Sequence, residues 1–188
     1  MTTTWRDWSN SLTARVAQAV KARRKVLGLS AADLADRTRV GKPLTRAVIS
    51  DLETGRKKTL EVSELLTLAV ALDIPPLLLL FPDYPAGSVE IVPGVTVSSE
   101  RAADWLAGRG VIPGAENNAG TALVRAASRR RELEDRRKLA SLDNDLAQAG
   151  VRDVVEVDRR VIDGITAEIN DTSTTIDAVG RELWGNDA

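Results

Sequence analysis

Apolar positions recur at helical spacing through the first eighty residues, and the texture changes afterwards. From Ser11 to Leu27, Leu12, Val16, Ala19, Val20 and Leu27 fall near one helical face, and Gly28 is a C-terminal stop. Ser30, with Asp33 three residues on, has the form of a capping box in which Asp replaces the usual Glu. It opens a second short helix, AADLADRTR, with Leu34 and Ala35 inward. Thr45 caps a third, RAVISDLE, whose Val48, Ile49 and Leu52 share a face and which Gly55 ends. Thr59 caps a fourth, carrying the stripe Val62, Leu65, Leu66, Ala69 and Leu72. Pro75 and Pro76 start a fifth, Leu77 to Phe81, which Pro82 closes. Five short helices with tight turns predict one small all-α core over residues 1–82.

Pro, Gly and Ser become frequent from Asp83 to Gly114, so residues 83–118 read as a linker or a small subdomain. Val89 and Ile91 alternate, Pro93-Gly94 turns, and Val95 and Val97 alternate again, which predicts a short β-hairpin. Such a hairpin is marginal alone and must pack on a neighbour. Ser99 to Ala107 resembles a helical turn anchored by Trp105 and Leu106. The following GRGVIPG lacks the Lys-Ser/Thr of a phosphate-binding loop and reads as an ordinary turn.

Residues 119–188 are strongly helical. From Thr121 no Pro intervenes, and the first break is Gly150. Arg129, Arg130, Arg131, Arg136, Arg137 and Lys138 interleave with acids, the pattern of a solvated helix laced with i,i+4 ion pairs. Beyond Gly150, Val151, Val155, Asp158, Ile162, Ile165, Ile169, Thr172, Ile176, Val179 and Leu183 alternate at spacings of four and three, a heptad seam. Val155, Ile162, Ile165, Ile169, Ile176, Val179 and Leu183 are its apolar members and the candidates for self-association. The same seam also suits a helical hairpin packed on Leu139, Leu142 and Leu146. Asn170 to Thr175, NDTSTT, is a poor helix former that should loosen or end the last helix. The fold class expected is mainly α: a five-helix domain, a short hairpin region, and long C-terminal helices forming a hairpin or a coiled coil.

Composition narrows the function. The chain of 188 residues contains no Cys and no His. Disulfides, thiolate zinc sites and the side chain best suited to acid–base work near neutrality are therefore absent, and no metal, cofactor or enzymatic activity is expected. No apolar run approaches a membrane span, and the N-terminus MTTTWRDWSN lacks the apolar core of a signal peptide, so a cytoplasmic location is expected. Through Pro82 there are 13 Lys/Arg against 8 Asp/Glu; from Asp83 onward 13 face 19. A basic front and an acidic back suggest that only one part meets a polyanion.

The third helix carries the sharpest signal. With Val48, Ile49 and Leu52 inward, Ala47, Ser50 and Asp51 point away from the core and Arg46 flanks them. Small and hydrogen-bonding residues in that position suit the major groove of duplex DNA. Arg46 can contact guanine bidentately, Ala47 suits a thymine methyl, and Asp51 must accept from a cytosine amino group, pair with a basic neighbour or face away. The loop that follows brings Arg56, Lys57 and Lys58 within reach of phosphates, with Lys42 and Thr45 as further phosphate candidates.

The stretches LGLSAADLADRT, TRAVISDLETGRK and LEVSELLTLAVALDIPP resemble the lambda-repressor-like (Cro-like, XRE) helix-turn-helix family over about Val16 to Pro82. FPDYPAGSVEIVPG and ADWLAGRG are similar to extensions of actinobacterial and actinophage members. The resemblance implies a positioning helix starting at Ser30 and Ala31 near a phosphate, base reading by Arg46, Ala47, Ser50 and Asp51, and phosphate contacts from Lys57 and Lys58. It also implies a structural ion pair between Arg24 and Glu53. One departure is the long turn Gly41-Lys42-Pro43-Leu44: Pro43 could open the third helix earlier, which would favour Lys42 over Arg46. The expected function is a sequence-specific regulator of transcription, a repressor of phage or prophage immunity type among the versions, homodimeric through its C-terminal helices. The alternative is an antitoxin-like adaptor whose C-terminal helices bind a protein partner.

Overall fold

A computed structural model describes residues 4–115, 118–150 and 157–185. The chain folds as two compact units, Met1–Asp104 and Trp105–Ala188.

The first unit contains α1 (Trp5–Val26), α2 (Ala31–Arg37), a 3-10 turn (Thr38–Val40), α3 (Arg46–Glu53), α4 (Val62–Ala71) and α5 (Pro76–Leu80). Its core joins Val16 and Val20 of α1, Leu34 of α2, Ile49 and Leu52 of α3, Leu68 and Leu72 of α4, and Leu79 of α5. α1 begins at Trp5, six residues before the expected start, because Thr4 caps it and accepts from the Asp7 N–H. Asp33 and Ser30 complete the capping box of α2 at 2.8 and 3.1 Å. α4 differs from expectation. Its cap is Glu61 rather than Thr59, and it turns Leu68, Ala69, Ala71 and Leu72 inward while Val62 and Leu66 stay exposed. Nearly every position of this helix is apolar or small, so its packing partners and not its own pattern select the inward side.

The hairpin folds with this first unit. β1 (Ser88–Val92) and β2 (Val95–Ser98) pair antiparallel, with Val89 opposite Val97 and both buried. Gly94 takes φ +82 at the turn, where a side chain would be strained. The indole N–H of Trp8 donates to the Glu90 carbonyl at 3.2 Å and ties the hairpin to α1. In α6 (Ser99–Leu106) the buried positions are Ser99, Ala102 and Ala103. Leu106, expected as an anchor, is exposed, and Trp105 is half-buried.

In the second unit α7 (Ala119–Gln148) and α8 (Arg159–Trp184) pack antiparallel. Leu133 meets Ile165 and Ile169 in a buried cluster, and Arg129 reaches Glu168 at 2.6 Å. Ile162, Thr172, Ile176, Val179 and Leu183 are half-buried on the same side of α8. The heptad seam is thus engaged within the chain, against Leu133 rather than against Leu139 and Leu142, which are exposed. Asp158 caps α8 by accepting from the Arg160 N–H. Val151 and Val155 lie outside the described residues. The expected break at Asn170–Thr175 does not occur. Thr172, Ser173, Thr174 and Thr175 each donate a hydroxyl to the carbonyl four residues back, which satisfies the hydroxyls inside the helix, while packing of α8 on α7 outweighs their low propensity.

Candidate nucleic-acid interface

The site is built on α2, the turn after it, and α3. The long turn has its own scaffold. Thr38, fully buried, donates its hydroxyl to the Ala35 carbonyl at 2.6 Å and accepts from the Leu44 N–H at 2.8 Å. From α4, Thr67 accepts the Lys42 N–H at 3.0 Å and donates to the Ser63 carbonyl at 2.8 Å. A Cβ at Gly41 would lie 2.6 Å from the Thr67 Oγ1, so only glycine fits there without a shift. The two threonines thus set the path of Gly41 to Leu44 and deliver the chain to Thr45. Thr45 then caps α3, accepting from the Val48 N–H at 3.2 Å. Pro43 lies in the turn, and α3 opens at Arg46.

On α3, Ile49 and Leu52 are buried and Val48 is half-buried, while Arg46 and Ala47 are exposed and Ser50 and Asp51 are partly so. The two acids nearest Arg46 on the helix are engaged elsewhere. Arg24 grips Glu53 with two parallel bonds, Nε to Oε1 at 2.6 Å and Nη2 to Oε2 at 2.7 Å, and its remaining nitrogen donates to the Leu29 carbonyl. These side chains are 13 % and 7 % exposed, so the fork joins α1 to α3 out of water. The Glu53 hydrogen bond, more than offsetting burial, holds the Arg24 guanidinium still more firmly in its charged form. Asp51 accepts from Arg56 at 2.6 Å. Arg46 keeps no ion-pair partner among the described residues.

The cations expected to touch phosphate are not alike. Lys57 lies 3.3 Å from Glu64, whose side chain is 4 % exposed, so this lysine serves first to neutralise a buried acid. Lys42 bonds Glu61 at 2.6 Å, which raises the lysine pKa and lowers that of the glutamate. Lys58 and Arg56 are exposed, Arg56 with the Asp51 pair. Ala31 is half-buried at the start of α2, packed on the core. Sequence reasoning missed Thr38, Thr67, Glu61 and Glu64. The available signal was Glu61-x-x-Glu64, a capping box with Glu as the cap: Glu64 returns to the Glu61 N–H at 3.0 Å.

A fold of this kind, with a capped, amphipathic third helix presenting its polar side, is that of a helix-turn-helix domain. Residues 20–79, less than half of the chain, match the family model described as helix-turn-helix. The match supports a DNA-binding transcription regulator of the XRE, Cro-like kind, a class of double-stranded DNA binders that is generally non-enzymatic. No curated protein and no solved structure matches the chain. Among the described residues no helix is long and apolar enough to cross a membrane.

Proposed function

We propose that this protein is a sequence-specific repressor that reads a duplex operator with α3 and acts as a homodimer, its C-terminal helices holding two copies together in the cytoplasm. The observation that carries the reading is the outward side of α3: Arg46, Ala47 and Ser50 are accessible, and among the described residues Arg46 is left without an acid while Asp51 and Glu53 each hold another arginine. A guanidinium free of internal partners is available for the O6 and N7 acceptors of guanine. Lys58 and Arg56 contribute affinity through phosphates, Lys42 and Lys57 only after exchange with Glu61 and Glu64, and Thr45 and Ala31 approach the backbone at two helix starts. Asp51 orients Arg56, in this reading, and contacts no base of its own. A phage or prophage immunity repressor is one version of this function.

Unbiased selection of duplexes with the full chain tests it. The expected result is an enriched palindrome with half-sites about 10 base pairs apart, one per recognition helix. Absence of any preferred duplex over non-specific DNA would sink the reading. An antitoxin-like adaptor would instead show a second polypeptide co-purifying stoichiometrically through residues after Gly120, with duplex binding confined to its own control region.

A further inference from the structure

α7 has two apolar sides. One carries Leu133, buried against Ile165 and Ile169 of α8, and the buried Ala140 two turns on. The other carries Leu139 and Leu142, 61 % and 52 % exposed, with the half-buried Leu146 one turn on. Spacings of three and four put these leucines in one stripe, roughly opposite the side that faces α8. Earlier on this side of α7 the chain covers itself: Val124 sits so close over Gly108 that an added Cβ would come within 2.7 Å of it. That cover does not reach the leucines.

The charges beside the stripe have an order. Lys138 and Asp145 lie seven residues apart along one flank, Arg136 and Asp143 seven apart along the other. Each flank therefore runs from basic to acidic. Arg136, Asp143 and Asp145 have no ion-pair partner among the described residues, and Lys138 has only a 3.4 Å contact with Asp135, both well exposed. Two copies of such a stripe laid antiparallel bring each flank against the same flank in reverse order. With a two-fold axis between Ser141 and Leu142, Lys138 of one copy faces Asp145 of the other, and Arg136 is within reach of Asp143. Leu139 then packs between Leu142 and Leu146 of the second copy. In a parallel pair each flank residue would face the opposite flank five positions further on, so only Lys138 and Asp143 would match, Arg131 would meet Arg136, and Asp145 would meet Gly150, which satisfies fewer of these charges.

We infer that the Leu139–Leu142–Leu146 side of α7 docks antiparallel on the same surface of a second copy of this chain. The α8 seam already faces α7 within the hairpin, with Ile165 and Ile169 buried there, so this stripe and not that seam joins the copies. The inference rests on the dimeric part of the proposed function, and its test uses no DNA, so failure here leaves operator reading untouched.

Sedimentation equilibrium of the full chain over a wide concentration range should show reversible association from 20.3 kDa to twice that mass. The variant Asp143→Lys/Asp145→Lys, altered only at exposed sites, makes both flanks wholly basic and should weaken association at least about tenfold, as should the wholly acidic Arg136→Asp/Lys138→Asp. Combining all four changes restores the reversed order and should restore the dimer. Mixing the two half-changed proteins should give a heterodimer. Circular dichroism of each variant reports whether the helices persist. A full chain that stays monomeric at every concentration, or half-changed variants that dimerise as well as the parent, would overturn the inference.

Discussion

At the scale of single residues, two arginines near α3 have opposite tasks. Arg46 is exposed and has no acidic partner among the described residues, and Arg46→Ala should lose about 1–3 kcal/mol of discrimination at one base pair. In competition binding, affinity for the selected duplex should fall far more than affinity for random DNA; equal losses would assign Arg46 to phosphate. Arg24 is held inside the domain by Glu53, and its effect is on stability. Breaking a buried pair from one side costs about 3–5 kcal/mol. At the 4–8 °C per kcal/mol typical of a small domain, Glu53→Gln should lower Tm by about 12 °C or more. A thermal melt showing a shift of only a degree or two would mean that the fork is not what joins α1 to α3. The pairing of Arg56 with Asp51 removes the repulsion that an unpartnered acid would cause at a phosphate-rich surface.

At the scale of elements, the turn between α2 and α3 determines where α3 begins. Gly41 and Thr67 touch so closely that Gly41→Ala should destabilise by about 1–3 kcal/mol, the usual cost of overpacking. Thr67→Ala removes the clash but also the acceptor of the Lys42 N–H, so the double variant should recover only part of the loss. Full additivity in denaturant titrations would show that the two do not interact. The helix caps add a pH dependence. Hydrogen bonds from Ser30, and from Lys42 and Ser63, hold the carboxyls of Asp33 and Glu61 below their ordinary values. A carboxyl depressed by folding stabilises fully above its unfolded value, about 3.9 for Asp and 4.3 for Glu. That contribution disappears as pH falls through the lower folded value. Melts from about pH 6 to pH 2 should therefore fall less steeply for Asp33→Asn/Glu61→Gln than for the parent. The order of helices was legible because periodicity, Ser30, Thr45, Gly55 and Pro76 act locally. The inward side of α4 was not: nearly every position of VSELLTLAVA is apolar or small, so only the packing partners select among them.

At the scale of the whole chain, DNA affinity should depend on salt with a slope of about 0.9 per phosphate neutralised. Because Lys42 and Lys57 already face Glu61 and Glu64, Glu61→Gln should strengthen random-sequence binding and steepen that slope, measured by titration at several salt concentrations. An unchanged slope would keep Lys42 away from the DNA. The sequence by itself determined the helical class, the caps Ser30 and Thr45, the hairpin and the polar side of the third helix, since each depends on residues within a few positions of one another. Only the tertiary structure decided that α3 opens at Arg46, that two of the expected phosphate cations serve acids of α4, and that the heptad seam closes on α7 within one chain. Those outcomes depend on residues far apart in sequence, Thr67 beside Gly41 or Ile165 beside Leu133, whose contact no local pattern encodes.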